Sequence, residues 1–261
     1  MSDSELRDPA SAPEEHFVRM SLLERLQHGL LIVTFSLLIL TGLPLIVYEW
    51  RPLQAFFSFF TFSLRGVSHR VAAVMLIGLS VWHLLYMLLT ARGRETLREL
   101  RLRTRDLKDA FEIFMHNLGT TSWLYRKGIL ADFFRRHPYW LFKDPPRYGR
   151  YNSIEKFEYL AVVWGSFVMI LTGLFMWKVE LAMRLFPKYV FDVFVAIHSY
   201  EAILAFLAII IWHMYNVHFS PAAFPMSKVW LTGKISREQM MREHPLEYEA
   251  LQKKRRDEER S

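Results

Sequence analysis

His69-Arg-Val-Ala-Ala-Val-Met-Leu-Ile-Gly-Leu-Ser-Val-Trp-His83 and His198-Ser-Tyr-Glu-Ala-Ile-Leu-Ala-Phe-Leu-Ala-Ile-Ile-Ile-Trp-His213 each open and close on a histidine, with mostly apolar residues between. A helix rises about 1.5 Å and turns about 100° per residue, so these spacings put the paired histidines roughly 21 to 23 Å apart and within roughly 40 to 60° of one face. Each helix thus offers two imidazoles on one side, one near each surface of a bilayer. Two such helices face to face would make two stacked sites, each with a histidine above and below a flat ligand. That geometry suits bis-histidine haem and electron transfer across a membrane.

Hydrophobic residues make up 52% and aromatics 15% of the 261 residues, while the charged residues gather in separate blocks. Four apolar stretches, roughly Leu26–Val47, Val67–Thr90, Leu160–Trp177 and Val190–Phe219, approach or exceed the about 20 residues needed to span hydrocarbon. The expected fold is an all-α membrane protein, a bundle of four transmembrane helices. Its expected parts are an N-terminal tail (1–25), a cytochrome b domain (26–219, including a basic loop over 92–152) and a C-terminal tail (220–261). Residues 1–25 lack the apolar region and small-residue cleavage site of a secretory leader, so the N-terminus is expected to stay on the side of synthesis.

Charge sets the expected orientation. Segment 92–152 holds fourteen Lys/Arg against seven Asp/Glu, and the tail after Phe219 holds nine Lys/Arg. The loops 48–66 and 178–189 hold only two and three. The basic segments are therefore expected in the cytoplasm, with both termini inside, in a bacterial inner membrane. A net charge of +7 then reads as topology and contact with anionic membrane lipid, not as nucleic-acid binding. The chain has no cysteine, which excludes disulfides, iron–sulfur clusters and covalently attached haem on this chain.

An internal echo points to duplication. Ile39-Leu-Thr-Gly-Leu43 matches Ile170-Leu-Thr-Gly-Leu174, Glu24-Arg25 matches Glu155-Lys156, and Trp82-His83 matches Trp212-His213. A two-helix unit used twice would give a pseudo-twofold bundle with its cofactors at the centre. Histidines inside a membrane are costly and point to function. Zinc would need about four ligands around one point, which two histidines at a level do not supply. On these assignments His69 and His198 lie outside, and His83 and His213 inside. His28, opening the first span, and His218, five residues after His213, compete as inner ligands or hold a third haem. Haem propionates favour guanidinium partners, for which Arg65 and Arg70 are placed outside and Arg25 inside. Glu201, one turn from His198, is a buried carboxylate with three uses open to it: protonated, paired with Arg70, or serving a proton path. Gly42, Gly78, Gly165 and Gly173 suit either a porphyrin close to the backbone or helix packing.

Arg25-x-x-His28, His69-Arg70 and the His198/His213 pair resemble the integral cytochrome b subunits of membrane-bound formate dehydrogenases, nickel–iron hydrogenases and thiosulfate reductase-like enzymes, over about residues 18–219. The resemblance implies an outer haem b on His69 and His198 and an inner haem b on His28 and His213. It also implies a quinone, menaquinone or ubiquinone, beside the inner haem, and an extracytoplasmic redox partner. His83 departs from that pattern. Its spacing from His69 resembles instead the cytochrome b of bc-type complexes, where His83 would pair with His213 and leave His28 and His218 for a third haem. More locally, Lys156-Phe-Glu-Tyr159 and His244-Pro-Leu-Glu-Tyr248 resemble b-type cytochromes that work with multihaem c-type partners, so the partner is expected to be an iron–sulfur or multihaem c-type protein. The plain reading of these segments is a helix-start charge cluster and a solvated tail helix. Asp109–Leu118 reads as an amphipathic interfacial helix, in the plain reading a lipid anchor with solvated polar residues, while the resemblance implies a quinone pocket that its His116 and Glu112 could wall. A transporter, or an anchor without redox function, would use the same spans without cofactors.

Overall fold

The computed structural model describes residues 15–46, 62–144, 146–220 and 223–260. The expectations for residues 1–14, and for the outer loop over 47–61 with Arg51, fall outside these. Helix α1 (Leu22–Ile46) and α2 (Phe62–Leu89) form one hairpin. After α3 (Ala91–Leu100) and α4 (Thr104–Leu118), α5 (Ser153–Trp177) and α6 (Lys188–Leu207) form another. The fourth span runs on from α6 through wide π-helical turns at Ala208–His213 and Tyr215–Phe219. α1 packs on α2 and α5 on α6, and the bundle is closed by contacts of α1 with α6 and of α2 with α5. Four helices here are long and apolar enough to cross a membrane.

The bundle is inside-out relative to a water-soluble fold. Trp164 is 65% and Ile211 64% exposed, whereas Thr34, Thr41 and Thr172 are 1 to 3% exposed. Apolar side chains outside and polar ones inside lower the free energy only where the surroundings are hydrocarbon.

Both hairpins start the same way. Ser21 and Glu24 exchange side-chain and backbone hydrogen bonds before α1, and Asn152 and Glu155 do so before α5. Each arrangement satisfies two of the amides that a helix start leaves open. The register of this match also aligns Thr41-Gly42 with Thr172-Gly173 and His28 with Tyr159.

The extra residue between His198 and His213, compared with His69 and His83, is taken up within the π-helical turns. A π turn adds a residue per turn while keeping the flanking faces aligned.

Both described termini meet at one end of the bundle. β1 (His16–Val18) pairs antiparallel with β2 (Lys234–Ser236), with Phe17 opposite Ile235. Gly233, at φ +74°, makes the turn into β2, and its carbonyl accepts from the amides of Arg19 and Met20. A Cβ there would lie 2.4 Å from the Met20 carbonyl oxygen, so no other residue fits without moving the strand.

The tail is not the solvated helix expected from its charge. Phe17, Ile235 and Met240 form a small core with Val229, Tyr248 and Leu251 around it. Of α7 (Arg237–Glu243) and α8 (Pro245–Glu258), the junction residue His244 is 3% exposed and its Nδ1 lies 2.9 Å from the Gly149 carbonyl. The Leu246 amide donates to Tyr148 O. The predicted charge cluster at the start of α5 is likewise more than surface: Lys156 is buried and reaches Asp106 of α4 at 2.8 Å. That pair fixes the amphipathic helix to the bundle, since leaving either charge buried alone costs about 3 to 5 kcal/mol.

Candidate functional site

Two levels of the bundle each set two imidazoles opposite one another, with ring planes inclined at 67° in one pair and 54° in the other. His69 of α2 and His198 of α6 have ring centres 6.4 Å apart. Toward the end that carries the termini, His28 of α1 and His213 of the fourth span are also 6.4 Å apart. Two metal–nitrogen bonds of about 2 Å laid end to end separate imidazole centres by roughly 6 Å, so both gaps fit a metal bound axially between the rings. Among the described residues no cluster of three or more His, Cys, Asp or Glu is arranged to hold a bare metal ion. Each pair therefore offers two ligands and an open plane between them, the donor set of a bis-histidine haem.

The surroundings of the two pairs differ. At the outer pair, Thr41 Oγ1 lies 2.9 Å from His69 Nδ1 and Thr172 Oγ1 2.9 Å from His198 Nδ1. At the inner pair, His213 Nδ1 faces the Glu158 carboxylate at 3.5 Å. The buried Nδ1 of His28 has no hydrogen-bond partner among the described residues.

His83 does not face His213. Its Nδ1 meets Gln27 Oε1 at 2.8 Å and its Nε2 meets the Tyr159 hydroxyl at 3.0 Å, with both ring nitrogens thereby engaged. The pseudo-twofold register explains the placement. Tyr159 occupies the position that His28 holds in the first hairpin, Gln27 is matched by Glu158, and His83 is matched by His213. One inner corner thus carries His28, His213 and Glu158, and its mate carries Tyr159, His83 and Gln27. The mate's ring centres are 5.9 Å apart, drawn together by the direct hydrogen bond.

Arg25 donates to the Leu231 carbonyl, and its buried Nε has no hydrogen-bond partner among the described residues. The same holds for the indole nitrogen of Trp230, whose ring centre is 6.4 Å from that of His28. Two unspent donors beside the inner pair suit a bound carboxylate such as a propionate. Arg70 lies 5.6 Å over the Trp177 ring. Glu201 is set against Gly165, where a Cβ would lie 2.8 Å from Oε1, so this glycine makes room for a carboxylate. Nothing lies within 4 Å of a Cβ at Gly78. His218 sits against Phe219, with ring centres 6.2 Å apart. His116 Nδ1 is 2.8 Å from the Phe142 carbonyl, and Glu112 accepts from the Tyr139 hydroxyl, so both tie α4 to the following turn.

Around the inner end, Arg19 bonds Glu247 at 2.8 Å and lies 3.6 Å from Glu155, while Arg92 bonds Glu24 at 3.0 Å. Glu24 also accepts from Tyr86. The two helix-capping glutamates therefore anchor the N-terminal strand, α3 and the tail to the same end of the bundle.

The sequence pattern signalled the histidines and Arg25 but passed over Gln27 and Trp230; it held Thr41 and Thr172 only as part of a repeat and Glu158 and Tyr159 only as part of a local motif, none of them as the partner of a histidine. The repeated Ile-Leu-Thr-Gly-Leu held the signal for the two threonines. Extending the same register would have placed Tyr159 opposite His28.

Residues 19–223 match the family described as prokaryotic cytochrome b561. The nitrate-inducible formate dehydrogenase cytochrome b556(Fdn) subunits of Escherichia coli K12, Escherichia coli O157:H7 and Shigella flexneri are each 30% identical over 105 residues. That stretch is 40% of this chain and 46% of each relative, so it spans about half the length of the relatives.

Proposed function

The chain belongs to the prokaryotic cytochrome b561 family, as a multi-pass membrane cytochrome b, and on that premise we propose that it carries electrons across the bilayer through two haems b. The outer haem is held by His69 and His198 and the inner by His28 and His213. The observation that supports this most is the repetition of one 6.4 Å imidazole gap at two levels of one bundle. Haem supplies one-electron chemistry when bound. The chain supplies the ligands, their orientation, an apolar shell and the distance between the two sites. Arg25 and Trp230 would offer hydrogen-bond donors to the inner propionates, and Arg70 would serve the outer haem.

The inner end exchanges electrons with a membrane quinone, menaquinone or ubiquinone. The outer end exchanges them with an extracytoplasmic iron–sulfur or multihaem c-type subunit, a reading supported by the likeness to a cytochrome subunit of formate dehydrogenase. The basic 92–152 segment and tail support this orientation by the positive-inside rule, with both termini in the cytoplasm and the chain in the inner membrane. His83 and His218 take no part in ligation: His83 is held by Gln27 and Tyr159, and His28 is claimed by His213.

Haem per polypeptide, from the pyridine haemochrome of protein purified in mild detergent, tests the proposal. Two b-type haems with a low-spin spectrum are expected. Three would restore a site on His28 and His218, and none in a folded preparation would overturn the redox reading in favour of a transporter or an anchor.

A further inference from the structure

The repeated Thr-Gly step touches each outer histidine from the other helix of its hairpin. Its chemistry can be worked out from proton counting. A hydroxyl has a single proton. That of Thr41 goes to the Leu37 carbonyl at 2.6 Å, and that of Thr172 to the Val168 carbonyl at 2.7 Å. At 2.9 Å from each imidazole, the hydroxyl oxygen is therefore the acceptor, and Nδ1 of both His69 and His198 carries the proton. Nε2 is left bare on both rings, the form in which imidazole binds a metal. Ser80 makes the same backbone bond to Leu76 at 2.8 Å, which shows that the backbone bond alone is an ordinary helical habit. What sets the two threonines apart is the imidazole on the other side of each hydroxyl.

The glycines complete the arrangement. A Cβ at Gly42 would lie 3.1 Å from His69 Cε1, and one at Gly173 would lie 3.1 Å from His198 Cε1. Any larger residue would press on the ring edge that the neighbouring threonine has oriented.

We propose that Thr41-Gly42 and Thr172-Gly173 are matched positioning residues for the outer site. Each threonine fixes the tautomer and direction of the histidine from the opposite hairpin helix and sets its basicity, and each glycine gives that ring its place. The proposal rests on reading His69 and His198 as axial ligands. Removing the acceptor from Nδ1–H makes the imidazole a poorer donor, which stabilises ferric haem less and raises the potential.

The test uses the full chain with Thr41→Val, Thr172→Val, the double variant and Thr→Ser at both positions, followed by redox titration and by the ferric low-spin EPR signal, which reports the angle between imidazole planes. Expected are a positive shift of the outer haem potential in each Val variant, a larger shift in the double, a moved EPR signal, restoration by Ser, and an unchanged inner haem. Loss of the outer haem alone in the double variant, recovered by Ser, also supports the proposal. If the double variant does not accumulate, the single variants decide. Two bound haems with unaltered potentials and EPR signal in the Val variants would overturn it. Retention of both haems in His69→Ala or His198→Ala would instead overturn the ligand reading itself, which keeps the two failures distinct.

Discussion

The outer and inner histidine pairs have the same ring separation and opposite symmetry. At the outer level every partner obeys the pseudo-twofold: His69 with Thr41, and His198 with Thr172, at the same 2.9 Å. At the inner level the twofold is broken by two substitutions, Tyr159 where its mate is His28 and Gln27 where its mate is Glu158. A duplicated bundle starts with two equivalent inner corners, and at one depth a four-helix bundle has room for a single porphyrin. Replacing one histidine by a tyrosine that bonds directly to His83 closes one corner and leaves the other open. The inner pair thus owes its asymmetry to Tyr159 and Gln27, which are not part of the proposed ligand set.

The largest effect expected to break this comparison is loss of one haem at a time. His69→Ala should halve the haemochrome content and remove the outer signal, and His28→Ala should halve it and remove the inner one. His83→Ala should keep both. Loss of the inner haem in His83→Ala but not in His28→Ala would reverse the assignment of the two corners.

A smaller effect should separate the levels by pH. His244, buried at the inner end and facing Arg19 and Arg150, has its pKa pushed down to about 4 from the ordinary 6.5, first by burial and then by the Arg19 charge. The released tail binds the proton before the docked tail does, so docking is strongest above about pH 6.5 and is lost as pH falls toward 4. At about 1.4 kcal/mol per pH unit, the gap is worth roughly 3 kcal/mol. Hydrogen exchange of 234–251 should therefore accelerate over this range, with the environment of the inner haem changing while the outer stays constant. His244→Gln should flatten the dependence. Exchange that does not vary between pH 4 and 6.5 would sink this account.

The smallest effect concerns Glu158. A carboxylate beside Nδ1 makes His213 a stronger donor than a hydroxyl makes His69. Glu158→Gln should therefore raise the inner potential and leave the outer where it was. A shift of both, or of neither, would mean that the second partner of His213 does not tune that site.

Much of this molecule was legible before its structure. The four spans follow from length and composition, because a helix that must satisfy its backbone inside hydrocarbon has to be long, apolar and continuous. His69, His198 and His213 stood out because ionisable groups are rare in such segments, and their spacing counts directly in helical turns. What could not be read was who faces whom. Periodicity put His83 and His213 at one depth but carried no information on rotation of one hairpin against the other, so Gln27 went unnoticed and Tyr159 stood only as part of a local motif, not as the partner of His83. The charged tail misled for a related reason: His244 and Met240 are buried by contacts with residues some 90 or more positions away, which local composition does not register.

The sequence by itself determined a membrane bundle with imidazoles at two depths, since both depend on rise per residue and on the cost of polar groups in lipid. Only the tertiary structure decided that His28 faces His213, that Tyr159 closes the corner of His83, and that Thr41 and Thr172 hold the protons of the outer pair in place. Those outcomes depend on helix rotation, within each hairpin for the two threonines and between the hairpins for His28 with His213 and His83 with Tyr159, and rotation is fixed only when the helices pack.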